Sequence, residues 1–320
     1  MKFLAWLFCL VVASPAFAQD AYPNKPVKIL VPYGPGGATD LIARIVAAKL
    51  TESLGQSFVV ENRPGANGNI ALEAAAKAAP DGYTLLVGNV STNAINESMY
   101  AGQLSIRPSR DLVAITKLVE IPHIVVANAA FPANNIAELV ALAKKEPGKI
   151  NYTSAGMGSY PHLDMERFMK ASGTQMTHVP YKGGAGQAIP AMVAGEVQLA
   201  FFNMASLLPH IKSGRLKALA AIPAQRLPEL PYVQTLAEQG YPGIGTNAWQ
   251  GMFAPAATPK PVVDKLYASV SAVLAKEKPG LAEKMMAVEM SPSPAAFTAE
   301  VQREAQAWGD FVREAKIKVE

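Results

Sequence analysis

The chain has 320 residues, of which 50% are hydrophobic, 17% charged and 8% aromatic. This composition excludes intrinsic disorder and low-complexity architecture. A chain of this length is typical of about two domains, each large enough to bury its own core. The formal net charge of +4 is small and the basic residues are scattered, so the sequence does not predict a nucleic-acid partner.

The first 18 residues predict a secretory signal peptide that is cleaved after Ala18. Lys2 supplies the positive start, residues 3–17 are apolar, and Ala16 and Ala18 are the small residues of the cleavage site. A membrane anchor would need about 20 apolar residues, more than this run contains. Cys9, the only cysteine, is removed with the signal peptide. We therefore expect a periplasmic mature protein without disulfides.

Strands and helices alternate along the first part of the mature chain. Hydrophobic periodicity and turn residues predict a strand at 27–33, a helix at 38–54, a strand at 57–61, a helix at 69–79 and a strand at 83–88. Such alternation is typical of a parallel, doubly wound sheet.

The same alternation restarts after residues 113–127, an extended run long enough to cross between two lobes. The predicted elements that follow are a helix at 135–145, a strand at 150–153, a helix at 159–172, a strand at 175–179, a helix at 186–194, a strand at 197–202, a helix at 206–213 and a strand at 216–222. We expect the chain to cross back near 245–251 and then to form helices, with no further strong strand.

These patterns predict an α/β protein of two lobes, each a doubly wound, mostly parallel sheet with flanking helices. The signal peptide is assigned to residues 1–18, the first lobe to 19–122 and 246–320, and the second lobe to 123–245. Strand carboxyl ends and helix N-termini would face a cleft between the lobes, which is where ligands bind in such folds.

The glycine turn at 34–39 follows the first strand and opens the first helix. It nearly matches the dinucleotide motif G-x-G-x-x-G, and Glu61 ends the next strand where a ribose-binding acid would lie. Against that interpretation, Thr39 replaces the third glycine, and Pro32 and Pro35 stiffen the loop. A secreted enzyme, NAD-dependent or hydrolytic, therefore remains the alternative hypothesis.

A second interpretation of the glycine turns is anion binding at helix N-termini. Thr39 and Asp40 open a helix after one turn, and Ser159 opens a helix after another. Unpaired N–H groups and a partial positive charge at two such ends would bind a carboxylate without any arginine. Tight connections with Asp40 and Ser159 as plain N-caps explain the same residues.

Enzyme signatures are weak in this sequence. Residues 152–156 lack the first glycine of a nucleophile elbow, and there is no P-loop or H-E-x-x-H helix. His162 and Glu166 share a helical face, but without a third ligand we favour packing or orientation over zinc. Tyr181 and Trp249 lie in glycine-bearing loops, where an aromatic ring serves either as a lobe-interface plug or as a ligand platform.

Five segments in order carry a specific resemblance to a known family. They are the runs at 31–40, 61–66, 80–85, 156–163 and 178–183. With them, the chain closely resembles the Bug, or TctC-like, family of periplasmic receptors for tripartite tricarboxylate transporters. The resemblance covers essentially the whole mature chain.

This resemblance implies a type II, Venus-flytrap binding protein that closes on a small di- or tricarboxylate or an aromatic carboxylate. It implies delivery of that ligand to transporter subunits that are separate membrane chains, no catalysis, no cofactor or metal, and a monomer. The residues it implies as ligand-binding are Tyr33, Gly37, Ala38, Thr39, Asp40, Ser154, Gly158, Ser159, His162, Tyr181, Lys182, Gly183, Gly184 and Asn203. Asn203 stands where relatives often carry an aspartate, which favours a plain dicarboxylate or aromatic carboxylate over an amino acid.

Overall fold

The computed structural model describes residues 22–246, 248–285, 293–315 and 317, and the predicted signal peptide lies outside these residues. The strands are β1 (Val27–Val31), β2 (Phe58–Asn62), β3 (Thr84–Asn89), β4 (Leu112–Ile121), β5 (His123–Asn128), β6 (Asn151–Ser154), β7 (Thr177–Pro180), β8 (Leu199–Asn203), β9 (Leu216–Ala221) and β10 (Ala248–Pro255). The helices are α1 (Ala38–Leu54), α2 (Asn69–Ala76), α3 (Asn96–Met99), α4 (Pro108–Asp111), α5 (Ile136–Lys145), α6 (Tyr160–Ser172), α7 (Ala185–Ala194), α8 (Met204–Lys212), α9 (Lys260–Met285) and α10 (Pro294–Ala315).

Two sheets of five strands form two lobes. The sheet of the first lobe has the order β2-β1-β3-β10-β4, and that of the second lobe has the order β7-β6-β8-β5-β9. Strands β1, β2 and β3 run parallel, as do β6, β7 and β8, whereas β10 and β5 pair antiparallel with both of their neighbours. In each sheet one strand at the crossing between the lobes, β10 or β5, runs opposite to the other four. Both sheets are therefore mixed and, as the sequence predicted, mostly parallel.

The chain passes between the lobes at Pro122 and again just before β10. Pro122 interrupts the predicted extended run, so that β4 joins the first sheet and β5 joins the second. Helices cover both faces of each sheet: α1 and α9 pack on one face of the first sheet, and α2 and α10 on the other. Helices α5 and α6 cover one face of the second sheet, and α7 and α8 the other.

The expectation of no strong strand after residue 242 is wrong, because β10 lies between β3 and β4 in the first sheet. All of its residues from 249 to 255 are buried, so they lack the alternation that marks a half-buried strand. Gly251 also interrupts the strand pattern. A Cβ at this position would lie 2.4 Å from the ring of Phe297. A residue of α10 therefore requires glycine here.

Helix α1 shows how local signals position the first glycine turn. It begins after the extended Gly37 and ends at Gly55, whose φ of 69° is left-handed and whose N–H donates to the Thr51 carbonyl. Ile42, Val46 and Leu50 recur on one face and are fully buried against the first sheet.

Across the described parts of the chain, none of the helices has the length and apolar character needed to cross a bilayer.

Candidate ligand-binding site

A small cavity lies between the two lobes. Residues of both lobes line it: Tyr33, Gly37, Ala38, Thr39, Asn89 and Gln250 from the first, and Ala155, Tyr160, Ala185, Phe202 and Asn203 from the second. Four helices start at this lining, because Ala38 begins α1, Tyr160 begins α6, Ala185 begins α7 and Asn203 caps α8. Their positive N-terminal ends converge on this cavity, and the described residues that line it carry no charged side chain.

The start of α1 presents backbone donors to this cavity. The first hydrogen bond of the helix runs from the N–H of Leu41 to the carbonyl of Gly37, at 2.9 Å. The N–H groups of Ala38 and Thr39 precede this bond and so have no carbonyl of the helix to pair with. Since both residues line the cavity, their amides are suited to an anionic ligand.

Two asparagines occupy equivalent places in the two lobes, each at the carboxyl end of a strand. Oδ1 of Asn203 accepts the N–H of Ser206 at 2.9 Å. Oδ1 of Asn89 accepts the hydroxyl of Tyr33 at 3.2 Å and the N–H of Ser91 at 3.0 Å. Backbone N–H groups can only donate, so these bonds fix which side-chain atom is oxygen. Each asparagine is left with its Nδ2 hydrogens to offer to a ligand.

Gln250, on strand β10, also has its side-chain oxygen engaged by a protein donor. Its Oε1 accepts the hydroxyl hydrogen of Thr39 at 2.6 Å, and both residues are buried. The Nε2 group is then the part of Gln250 that can bind a ligand. With Asn89 and Asn203, it makes three amide donors around a cavity at which the described residues place no carboxylate. Such a lining suits a ligand that only accepts hydrogen bonds.

Asp40 lies outside this lining, although the resemblance implied that it contacts the ligand. Its carboxylate accepts the N–H of Gly36 at 3.0 Å, Nε of Arg44 at 3.0 Å and Nδ2 of Asn62 at 2.9 Å. Burial alone would raise the pKa of Asp40, but the bonds from Arg44, Gly36 and Asn62 outweigh it and hold the pKa below its usual value. Asp40 thus braces the glycine turn from behind the helix start.

The glycine turn after β6 is held by side chains that also lie outside the lining. Ser159 donates its hydroxyl to the carbonyl of Gly156 at 2.7 Å, and Nδ1 of His162 accepts the N–H of Gly158 at 3.1 Å. Ser154 accepts the N–H of Gly156 at 3.1 Å. These bonds fix the turn that brings Ala155 and Tyr160 to the cavity.

Ser154 and His178 form a close serine–histidine contact, with Oγ and Nε2 2.6 Å apart. A hydrolase would need this serine to be reachable, but Ser154 is fully buried and neither residue lines the cavity. Burial, with the neighbouring His162 ring stacked at 4.2 Å, lowers the pKa of His178 to about 3. A group with that pKa is a poor general base at neutral pH. The pair joins β6 to β7.

His162 and Glu166 are 3.6 Å apart between Nε2 and Oε1. The same carboxylate oxygen accepts the hydroxyl of Tyr152 at 2.8 Å, and burial lowers the pKa of His162 to about 4. Within the described ranges, no group of three or more histidine, cysteine or acidic residues is arranged to hold a metal ion. Together with Tyr152, the two residues link α6 to β6.

The loop from Tyr181 to Gly184 forms the lip of the cavity. Tyr181 donates its hydroxyl to Glu196 at 3.2 Å, and Lys182 is exposed. The carbonyl of Gly183 accepts the N–H of Gly34 from the first lobe at 3.2 Å. Gly184 has a φ of +67° and faces the Tyr33 ring, so this loop closes over the cavity without lining it.

The family of this protein follows from a match over most of its length. Residues 42–316 match the family model described as "Tripartite tricarboxylate transporter family receptor". The chain belongs to this receptor family. It is 34% identical to Protein BugT of Bordetella pertussis over 317 residues, which are 96% of this chain and 94% of that protein.

Solved structures of other receptors share the whole fold. The Rpa4515 protein of R. palustris, solved with adipate, superposes with a TM-score of 0.88 at 32% identity, covering 93% of this chain and 99% of that one. MatC (Rpa3494) of Rhodopseudomonas palustris, solved with bound malate, superposes with a TM-score of 0.86 at 32% identity, covering 91% and 100%. These neighbours are two-lobed solute-binding proteins. The chain is a receptor of this class and not an enzyme.

Several residues that line the receptor's cavity were not among those implied from sequence: Asn89, Ala155, Tyr160, Ala185, Phe202 and Gln250. Asn89 carries a usable signal, because a polar residue that ends a buried strand is the same feature that marks Asn203. Gln250 was missed together with β10. Trp249 is no ligand platform: it is fully buried in the first lobe, donates Nε1–H to Glu304 at 3.0 Å and meets the Phe297 ring edge-on.

Proposed function

We propose that this receptor captures a small dicarboxylate or aromatic carboxylate in the cavity between its lobes and delivers it to separate membrane subunits of the transporter. The observation that carries the proposal is the set of side-chain amides of Asn89, Asn203 and Gln250. Their oxygens are engaged by protein donors, so their N–H groups are left for a ligand that accepts. The two solved relatives with adipate and with malate bind ligands of this chemistry.

The lining also argues against an amino acid as the ligand. An ammonium group needs a carboxylate or several acceptors, and the lining residues that the structure describes include neither Asp nor Glu. The nearest strand-end position that could supply a counter-charge is Asn203, whose oxygen is already bonded to the Ser206 N–H. Apolar side chains such as Phe202 and Tyr160 fit the carbon skeleton between or beside the carboxylates.

Ligand capture would be coupled to closure of the lobes. The donors come from both sides of the cleft, with Gln250 and Asn89 on one lobe and Asn203 on the other. A ligand bridging them stabilises the closed state because only that state offers every donor.

We further propose export to the periplasm with cleavage after Ala18, a monomeric receptor, and lobe boundaries at 122/123 and 245/246.

The test is a ligand screen on residues 19–320, by thermal shift and titration calorimetry. The panel contains adipate, malate, a tricarboxylate, aromatic carboxylates, amino acids and NAD. We expect carboxylates to raise the melting temperature, since a ligand at 100 times its Kd adds about 2.7 kcal/mol of stability. A shift with NAD and with no carboxylate would overturn the proposal.

Asn203→Asp is the decisive variant because it places a carboxylate in a cavity of donors. Aspartate caps a helix as well as asparagine does, so α8 should be retained. We expect carboxylate affinity to fall at least tenfold. Asn135→Asp is the matched control: Asn135 caps α5 by accepting the N–H of Glu138 at 2.8 Å, away from the cavity. Equal carboxylate affinity in the two variants would contradict the proposed site.

A further inference from the structure

Helix α6 has two buried faces that belong to different lobes. Met165 and Phe168 pack in the core of the second lobe, where α6 covers its own sheet. Tyr160 and Leu163 pack instead in a core cluster of the first lobe, together with residues of α10. Residues three and four apart lie on one side of a helix, so the second face continues to Asp164 and Arg167. Opening of the lobes would uncover this face.

Asp164 ties this face to the segment that returns to the first lobe. Its two carboxylate oxygens accept the N–H and the hydroxyl of Thr246, both at 2.9 Å. Thr246 lies two residues before β10 begins. The contact between Asp164 and Thr246 therefore lies beside the strands that connect the lobes, β4, β5 and β10. Opening of the lobes should move this side of the interface least.

Arg167 makes the contact farther along the helix, with two rings of α10. Its guanidinium carbon is 4.2 Å from the ring centroid of Trp308 and 4.2 Å from that of Phe311. The two rings meet edge-on at 5.9 Å, so one guanidinium contacts both. A cation that is partly removed from water is attracted strongly by aromatic faces.

Arg167 also interacts electrostatically with the buried carboxylate of Asp164 on its own helix, whereas the nearby carboxylates of α10 have other partners. Glu300 and Glu304 border the same cavity as Arg167. Glu300 accepts a bond from Lys117 at 2.8 Å, and Glu304 accepts one from Trp249 at 3.0 Å. Across the lobes, Arg167 thus makes a cation–π contact with Trp308 and Phe311.

We propose that Arg167, Trp308 and Phe311 form a closed-state latch: they set the population of the closed receptor, and through it ligand affinity, without touching the ligand. None of the three lines the ligand cavity. The inference deepens the proposed function, on which its effect on affinity rests, but its effect on lobe closure does not depend on any ligand. Arg167 is in this sense a positioning residue.

The test measures lobe separation in the absence of ligand. The predicted mature chain lacks cysteine, so Val59→Cys and Gln175→Cys can be labelled specifically with a fluorophore pair. Val59 is exposed on β2, and Gln175 is exposed just before β7. Strands β2 and β7 are the edge strands farthest from the strands that connect the lobes, β4, β5 and β10. Gly186→Ala supplies the open reference, because a Cβ there would lie 2.3 Å from the carbonyl oxygen of Pro35 in the other lobe.

In this labelled protein we expect Arg167→Ala to move the distance distribution towards the open reference. Phe311→Leu, which keeps an apolar side chain but removes one ring, should move it in the same direction and guards against a folding defect in the first variant. Lys170→Ala is the matched control on the same helix, since Lys170 pairs with Glu314 at 3.8 Å between two exposed side chains. An unchanged distribution in both Arg167→Ala and Phe311→Leu would overturn the latch.

The affinity arm uses adipate and malate as probes. With the latch removed, we expect apparent affinity to fall about three- to tenfold, by the same factor as the closed population. If neither acid binds the unmodified receptor while Arg167→Ala still opens it, the latch stands and the dicarboxylate proposal fails. If both acids bind Arg167→Ala as tightly as the unmodified receptor, the latch does not control affinity and the inference is overturned.

Discussion

Thr39 donates its hydroxyl hydrogen to Oε1 of Gln250 across 211 positions of the chain, at 2.6 Å. One residue lies in the first turn of α1 and the other on β10, an inner strand of the first sheet. The bond therefore joins the two chain segments of the first lobe at the cavity wall. It also orients the Gln250 amide, so that a residue of the first glycine turn determines which atoms a distant strand presents to the ligand.

Replacing this hydroxyl should weaken ligand binding more than it harms the fold. In Thr39→Val the side chain keeps its size but Oε1 of Gln250 loses its donor, which costs roughly 1–3 kcal/mol at a buried site. The amide is then free to turn its oxygen towards the cavity. We expect affinity for adipate or malate, measured by calorimetry, to fall about tenfold.

Thr39→Ser is the control for this variant, because it retains the hydroxyl and should bind almost as the unmodified protein does. Wild-type affinity in Thr39→Val would show that the orientation of Gln250 does not matter for the ligand.

Local signals were sufficient for the elements around both glycine turns. A strand, a glycine turn and a capped apolar helix follow each other closely in the chain, so α1 and α6 were predicted within about one residue of their bounds. The family resemblance implied Asn203, a polar residue at the end of a buried strand. These features depend on neighbours in sequence.

Strand β10 and the role of Asp40 depend on distant residues instead. Gly251 weakens the strand pattern, and the ring of Phe297 in α10 explains it. From sequence alone, an acid in the first turn of a helix is compatible with either a ligand contact or a side chain that holds the glycine turn in place. The positions of Arg44 and Asn62 around Asp40 distinguish the two, and the distance to Asn62 is set by packing of β2 beside β1.

Asp40→Asn should destabilise the receptor in a pH-dependent way. The folded-state pKa of Asp40 lies below 3.8, so its contribution to stability is present above that pH and is lost as the pH falls through the folded value. We expect the variant to melt below the unmodified protein at pH 7, and the gap to narrow near pH 3. Scanning calorimetry across this range measures the effect.

Asp264→Asn is a suitable control, since Asp264 forms an exposed pair with Lys260 and should contribute little. A gap for Asp40→Asn that stays constant with pH would refute the brace. Loss of carboxylate binding without loss of stability would return Asp40 to the ligand-binding residues.

His123→Phe should make the receptor less sensitive to acid. His123 is fully buried at the start of β5 and stacks on Tyr160 at 4.4 Å. Burial lowers its pKa from 6.5 to about 3, with the Thr246 backbone partly offsetting the shift. The unfolded chain takes up a proton below pH 6.5 and the folded chain does not, so stability is lost as the pH falls from 6.5 towards 3.

Phenylalanine keeps the stacked ring and removes this proton uptake. We therefore expect urea unfolding at pH 7.5 and pH 5 to show a smaller loss of stability for His123→Phe than for the unmodified protein. His210→Gln serves as the comparison, because His210 is only half-buried at the end of α8 and should change the slope less. Identical pH dependence in all three proteins would show that His123 is already protonated when folded or is not buried.

Gly186→Ala should separate lobe closure from the stability of the lobes themselves. Gly186 lies in the first turn of α7, where alanine is favoured over glycine by up to about 1 kcal/mol. The added Cβ would nevertheless lie 2.3 Å from the carbonyl oxygen of Pro35, a backbone atom of the opposite lobe that cannot rotate away. We expect the variant to melt no lower than the unmodified protein without ligand, to have a larger radius of gyration in small-angle scattering, and to bind adipate or malate at least tenfold more weakly.

Gly280→Ala in α9 has no heavy atom within 4 Å of the new Cβ and should leave both shape and affinity unchanged. Tight binding by a compact Gly186→Ala receptor would mean that the glycine turns tolerate a wider separation than the closed cleft contains, and that capture does not require the contact between Gly34 and Gly183.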